Sequence, residues 1–449
     1  MPRRVKVVTL GCPKNQVDSR QIKGYLREEG YCLTENPEQA EIIIINTCGF
    51  IEDARRESIE TILDMTLWKK KGNCRVLVAA GCLAQKYAGE LEREIPEIDI
   101  IIGTGDIPRL PVVLKTLKPG KKATCVGDPA GFLYNDGVQF PPGERKHYAY
   151  LKIAEGCDNR CSYCVIPSVR GPYRSRRKEA ILTEADALAK EGVKEIILVA
   201  QDTTWYGYDI YKKPVLPELL KDLVKIPGLA WVRLLYSYPA HITDSLLQVI
   251  KEEKKVCSYL DLPLQHISDG ILKKMGRTLG KDSIRRLLDR IRAFVPDMVL
   301  RSTFIVGFPG ESRKDFEELL FFLEETRFDR AGFFTYSREP GTAAASLRRQ
   351  IPAREKQRRL EEAVKIQREI MSAKQALQVG KMTEIIVDGP SSDCEGLWEG
   401  RTRGDAPEID GVVYFRPVPG VNPGDILAVK ITHSQEFALI GEIMHEFGE

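Results

Sequence analysis

Nowhere in the 449 residues does an apolar run approach the roughly 20 that a membrane-spanning helix needs. The opening MPRRVKVVTLGCPKN is basic, but it has no apolar stretch long enough for a secretory signal and reads as a buried strand. A cytoplasmic protein without a membrane partner is expected. An excess of one charge is also missing. Lys and Arg number 67 against 64 Asp and Glu, so a net charge of +3 gives no global attraction to nucleic acid or lipid. Repeats of solenoid period and low-complexity tracts are absent as well.

Cysteine is plentiful. Eleven thiols are many, and an odd count argues against a closed disulfide framework. In a reducing compartment, clustered thiols more often bind metal or carry redox chemistry. Which of them are grouped, and by what, is therefore the question that matters.

A chain of this length predicts two or three domains, and an α/β multidomain architecture follows from the order of its apolar segments. Residues 1–127 form a small α/β domain. VKVVTL (5–10), EIIIIN (41–46), RVLVAA (75–80) and IDIIIG (98–103) have the look of buried parallel strands, with amphipathic helices between them. Residues 128–146, rich in Gly, Pro and Asp, read as a linker. Residues 147–378 carry six strand candidates (147–154, 194–200, 230–236, 258–265, 298–307 and 330–337) with helices between. That pattern suggests a partial (β/α)6 barrel of the TIM type, with chemistry at the C-terminal strand ends. A basic helix over 352–378 is expected to pack outside it. Residues 379–449 turn to short strands separated by Gly, Pro and Asp, the grammar of a small antiparallel β-barrel.

Cys157, Cys161 and Cys164 lie in KIAEGCDNRCSYCVIP, spaced C-x3-C-x2-C, just after the first barrel strand. Thiolates are soft ligands for iron–sulfur clusters or zinc. Structural zinc wants four ligands and only three are local, whereas three leave one iron of a four-iron cluster open. Tyr163, an aromatic just before the third Cys, sharpens the pattern. The segment resembles the radical S-adenosylmethionine superfamily. That resemblance implies a [4Fe-4S] cluster whose open iron is chelated by S-adenosylmethionine, and reductive cleavage to a 5′-deoxyadenosyl radical. It also places Tyr163 near the adenine. At strand ends, Gln201, Asp202, Gln265 and His266 offer polar side chains to the cofactor. Gly307, Pro309 and Gly310 let backbone approach adenine. Arg170 and Arg174, in the basic run RGPYRSRRK, are candidates to hold a carboxylate of cofactor or substrate. Arg176, Arg177 and Lys178 fit a solvated charge run.

Cys12, Cys48 and Cys82 are scattered in sequence, but each comes directly after a strand of the first domain. In a parallel sheet those ends share one edge, where such folds bind ligands. A second [4Fe-4S] cluster is expected there, and no catalytic residue is singled out beyond these six ligands. Cys32, Cys74, Cys125, Cys257 and Cys394 show no grouping and are expected to be packing residues. With two clusters the resemblance narrows to the methylthiotransferases, whose three parts (cluster domain, radical barrel and TRAM barrel) cover almost the whole chain. It implies that a methyl group reaches sulfur on the second cluster and that the methylthio group is then captured by a substrate carbon radical.

The C-terminal module from Lys381 to Glu446 has five basic residues against twelve acidic ones, about −7, a poor surface for phosphate. Direct binding of tRNA is not expected, and a basic protein partner is. LGCPKNQVDS, QDTTWYG, YSYP and DLPLQHISD agree. They resemble the branch acting on the β-carbon of an aspartate in uS12, the twelfth protein of the small ribosomal subunit. The alternatives are the branch modifying an adenosine in tRNA and a non-catalytic iron–sulfur protein that binds the ribosome. By the same resemblance an electron donor such as flavodoxin or ferredoxin is a partner. Arg20 departs from the pattern, standing where an acidic residue is expected after VDS.

Overall fold

A computed structural model describes residues 3–131 and 147–444, so the expected linker lies outside the described residues except for 128–131. Three β-structures organise the chain. The first is a six-stranded, all-parallel sheet in the order β2-β1-β3-β4-β5-β6. Its strands are β1 (Arg4–Thr9), β2 (Cys32–Leu33), β3 (Ile42–Thr47), β4 (Val76–Gly81), β5 (Ile100–Ile102) and β6 (Ala123–Cys125). The run of isoleucines in β3 has a simple cause. Ile42 and Ile44 enter the apolar layer on one face, Ile43 and Ile45 the layer on the other, and all four are sealed from water.

The second sheet, also all parallel, runs β14-β13-β12-β11-β10-β7. It is built from β7 (Tyr148–Lys152), β10 (Glu195–Val199), β11 (Trp231–Leu234), β12 (Val256–Asp261), β13 (Val299–Val306) and β14 (Arg330–Thr335). β8 (Ala154–Glu155) and β9 (Arg174–Ser175) pair with each other and clasp the cysteine loop between them. Alternation again separates two layers. Ile196 and Leu198 of β10 pack in the layer that holds the helices, while Ile197 and Val199 face the other way. That second layer is filled from both ends of the half-barrel. Val17 of helix α1 (Pro13–Glu28) enters from the first domain, and Ile386 and Ala406 enter from the C-terminal module. The expected outer helix, Ala353–Ala376, buries Ala363, Ile370 and Met371 and packs against β14.

The third structure is a closed five-stranded barrel. It is made by β15 (Met382–Pro390), β16 (Trp398–Thr402), β17 (Val412–Phe415), β18 (Ile426–Ser434) and β19 (Ala438–Ile443). β16, too short and Gly-interrupted to stand out in sequence, completes it. Closure joins β17 to β19 in parallel, while every other pairing is antiparallel.

The module's acidity has a structural cause that composition hides. Asp405 pairs with Arg330 at 2.6 Å, Asp410 accepts from Tyr259 at 2.7 Å, and Glu408 accepts from Tyr148 and Gln16. Buried Glu195 of β10 lies between Arg233 and Arg401, at 2.7 and 2.6 Å. Several acids that seemed available to a basic partner are therefore docking groups for the half-barrel. Two smaller expectations are also corrected. Cys32 is exposed on the short edge strand β2 and is no packing residue. Arg176 is buried against Glu184 at 2.7 Å, because its run turns inward beside β9.

Candidate active site

Cys12, Cys48 and Cys82 each follow the end of a strand, β1, β3 and β4. Cys12 precedes α1, and Cys82 is the first residue of the helix Cys82–Glu94, so two of the three sit at helix N-termini. Partial positive charge there favours a thiolate or an anionic inorganic group. Glycine makes the convergence possible. At Gly11 (φ +86°) a β-carbon would come within 2.7 Å of the Cys48 β-carbon, and at Gly81 (φ +91°) it would run into Asn46 Oδ1. Burial pushes the Cys48 thiol up to about 12, helped by nearby Cys82, and burial likewise raises Cys82. Such thiols hold protons tightly unless a metal displaces them.

The second set is ordered by its own loop. Cys157 N–H donates to Gly171 O at 3.1 Å, Cys164 N–H to Cys161 O at 3.1 Å, and Ile166 N–H to Cys164 Sγ at 3.4 Å. Burial pushes Cys157 up to about 11 and Cys164 up to about 12. Arg277, which sequence reasoning missed, lies over the Tyr238 ring with Nη1 3.8 Å from Cys161 Sγ. Asn159, also missed, is held within the loop by Asp202 at 3.2 Å. In both sets the donors are soft thiols at a parallel-sheet edge beside helix N-termini or a guanidinium. By its chemistry that donor set suits an iron–sulfur cluster, although among the described residues no three of these side chains stand close enough together to hold a single metal ion.

A sealed network of charge joins the first domain to the barrel and touches Cys82. Lys152 at the end of β7 contacts Asp18 of α1 and, at 2.6 Å, Glu155. Arg170 reaches Asp18 at 2.6 Å, Glu155 at 3.2 Å and Asn15 Oδ1 at 2.7 Å, and its Nη2 donates to Cys82 Sγ at 3.2 Å. Burial opposes ionisation of Glu155, but Lys152 and Arg170 outweigh it and hold the carboxyl well below its usual range. Here the structure departs from the sequence expectation. The donors of Arg170 are engaged in docking the two domains, and Nη1 and Nη2 of Arg174 go to the carbonyls of Pro129, Arg170 and Pro172, while its buried Nε has no partner. Arg20, the departure from pattern, pairs with Glu184 at 2.7 Å and donates to Tyr150 O, adding a further clasp between the domains.

The other expected contacts divide. Gln201 donates to Glu155 at 2.7 Å and leaves its buried Oε1 without a partner, a polar atom aimed at no protein group. Gln265 adopts a left-handed backbone (φ +73°), unusual for a side-chain-bearing residue. Tyr163 packs edge-on against Phe308, next to Gly307 and Pro309. Asp202 has both oxygens occupied, by Thr204 and by Asn159 and His241, which makes it a brace for the loop. His266 is fully buried, its Nδ1 accepts from Ser268 N–H, and burial drives it down to about 3, so it stays neutral inside the fold. The freedom of Gly307 is needed by Lys356, whose side chain lies where a β-carbon would be.

Residues 4–103 match the Uncharacterized protein family UPF0004, 151–323 the Radical SAM superfamily and 379–444 the TRAM domain. Over 98% of the chain and 99% of its relative, the sequence is 49% identical to the ribosomal protein uS12 methylthiotransferase RimO of Pelotomaculum thermopropionicum. The RimO of Citrifermentans bemidjiense is 48% identical, with 98% of each chain covered. The chain belongs to the RimO family. Its membership of the radical S-adenosylmethionine superfamily implies that cofactor and a [4Fe-4S] cluster. Among solved structures, the radical S-adenosylmethionine methyltransferase TsrM of Kitasatospora setae shares the fold, with a TM-score of 0.55 over 77% of each chain at 14% identity. The cobalamin-dependent radical enzyme OxsB shares it at 0.52, over 81% of this chain and 56% of that one. Among the described residues no helix is long and apolar enough to cross a membrane.

Proposed function

We propose that the protein methylthiolates the β-carbon of an aspartate in ribosomal protein uS12, in the cytoplasm, with two [4Fe-4S] clusters. Cys157, Cys161 and Cys164 would hold the cluster that binds S-adenosylmethionine; Cys12, Cys48 and Cys82 would hold the other. When bound, these groups supply a hydrogen-abstracting radical and a methylated sulfur. The observation that carries the reading is the sealed network of Asp18, Lys152, Glu155 and Arg170, which docks helix α1, just after Cys12, on the strands that lead into the Cys157 loop. A reactive carbon needs both sites within reach, and a network that ties the first domain to the barrel beside Cys82 and the Cys157 loop supports that reading. Gln201 Oε1 and Tyr163 would receive polar and aromatic parts of the cofactor, with Gln265, Gly307 and Pro309 shaping the same strand-end wall. An electron donor of the flavodoxin or ferredoxin class completes the requirement.

The test is an anaerobic assay with both clusters reconstituted, S-adenosylmethionine and a reductant, offering uS12 and tRNA separately. Mass spectrometry should find a methylthio gain on a uS12 aspartate and none on tRNA. A gain on tRNA alone would keep the chemistry and overturn the substrate.

A further inference from the structure

Among the described residues, Lys14 is a largely buried cation with no direct ion pair. It follows Pro13 in the first turn of α1, is 8% exposed, and has its ammonium 3.2 Å from the centroid of the Tyr236 ring. Among the described residues it makes no hydrogen bond and no ion pair. Cys12, Arg170, Glu155 and Asp261 face it, and Cys164 lies within its field. Both of those carboxylates are committed elsewhere. Asp261 is held by Arg301 at 2.8 Å and by Tyr236 N–H at 2.9 Å. Glu155 is held by Lys152, Arg170 and Gln201. An ammonium taken out of water without an anion is strongly disfavoured, and an aromatic face offsets only part of that.

The ring beneath it is fixed at a cost in backbone strain. Tyr236 stands at φ +59°, with its N–H on Asp261 and its carbonyl accepting from Thr203 at 3.0 Å. Strain of this kind persists only where the surrounding structure over-determines it, and it clusters at active sites and ligand clamps. Lys14 thus lies two residues after Cys12 and is also coupled electrostatically to Cys164 of the other thiol set.

We infer that Lys14 anchors the side-chain carboxylate of the substrate aspartate. The inference rests on the protein-substrate reading above. A carboxylate gripped there carries its β-carbon one bond away. An ammonium is a point charge suited to one carboxylate, and a neutral amide offers it far less. The shared chemistry is a carboxylate, and S-adenosylmethionine also has one, so the experiment separates the two.

The experiment measures anaerobic binding of labelled uS12, and of uS12 with the modified aspartate changed to asparagine, to enzyme loaded with both clusters. Wild-type enzyme should prefer the aspartate form by about tenfold, the size of one charge-assisted contact. Lys14→Met should erase the preference, and Lys14→Arg should keep most of it. Equal weakening of both forms by Lys14→Met would mean a structural role and overturn the inference. Selective loss of S-adenosylmethionine affinity would assign Lys14 to the cofactor instead. An altered paramagnetic resonance signal of the second cluster with the preference intact would make Lys14 only a charge balance for it. If wild-type enzyme modifies uS12 yet binds both forms equally, this inference alone falls. If it does not modify uS12, the substrate reading falls and takes the inference with it.

Discussion

The two thiol sets reach similar chemistry by opposite routes. Cys157, Cys161 and Cys164 share one eight-residue loop, and backbone hydrogen bonds inside and beside that loop order them. Cys12, Cys48 and Cys82 span 71 positions of sequence and meet only because β1, β3 and β4 end on one edge. The first set is local and should tolerate damage to the distant sheet. The second is a tertiary property and should be lost when strand ends shift by a fraction of an ångström.

The largest expected effect comes from the local set. Replacing Cys157, Cys161 and Cys164 together with Ala should reduce 5′-deoxyadenosine formation to background, read by chromatography, because no other thiols replace that loop. Next is Gly81→Ala. Its left-handed backbone and the crowding at Asn46 and Thr47 should displace Cys82. Iron analysis should show the first cluster retained and most of the second lost; uniform loss of both would contradict the contrast between local and tertiary sites. Third, Arg170→Ala leaves Asp18 and Glu155 buried with less compensation. It should destabilise the pair of domains by about 3–5 kcal/mol, measured by denaturant unfolding. The smallest is Arg20→Ala. That guanidinium is partly solvated, so loss of its contact with Glu184 should cost about 1 kcal/mol in the same measurement.

The same contrast explains what could be read in advance. The central strands of the first sheet and the six of the second were legible because burial demands apolar runs such as Ile42–Ile45, whereas the short edge strands β2 and β6, which carry no such run, were not. Cys157, Cys161 and Cys164 stand out by their spacing, and Cys12, Cys48 and Cys82 by their shared place after strands; that each set holds a cluster is our proposal. Lys14, Asp18, Lys152 and Glu155 do not stand out. Each is an ordinary polar residue until the first domain is laid against the half-barrel, and nothing in sequence gives that docking. PKNQVDS and KIAEGC did contain them, and the crowding of polar residues early in α1 (Lys14, Asn15, Asp18, Ser19 and Gln21) was the available signal. For the same reason the acidity of the C-terminal module misled. Asp405 and Asp410 count as surface charge in composition, yet they face Arg330 and Tyr259 in the fold.

The division of labour between the two sets is tested most directly by replacing Cys12, Cys48 and Cys82 with Ala and offering the variant S-adenosylmethionine, reductant and uS12. It should lose about half of its iron, still form 5′-deoxyadenosine and leave uS12 without a methylthio group. Transfer of a methylthio group by that variant would contradict the account.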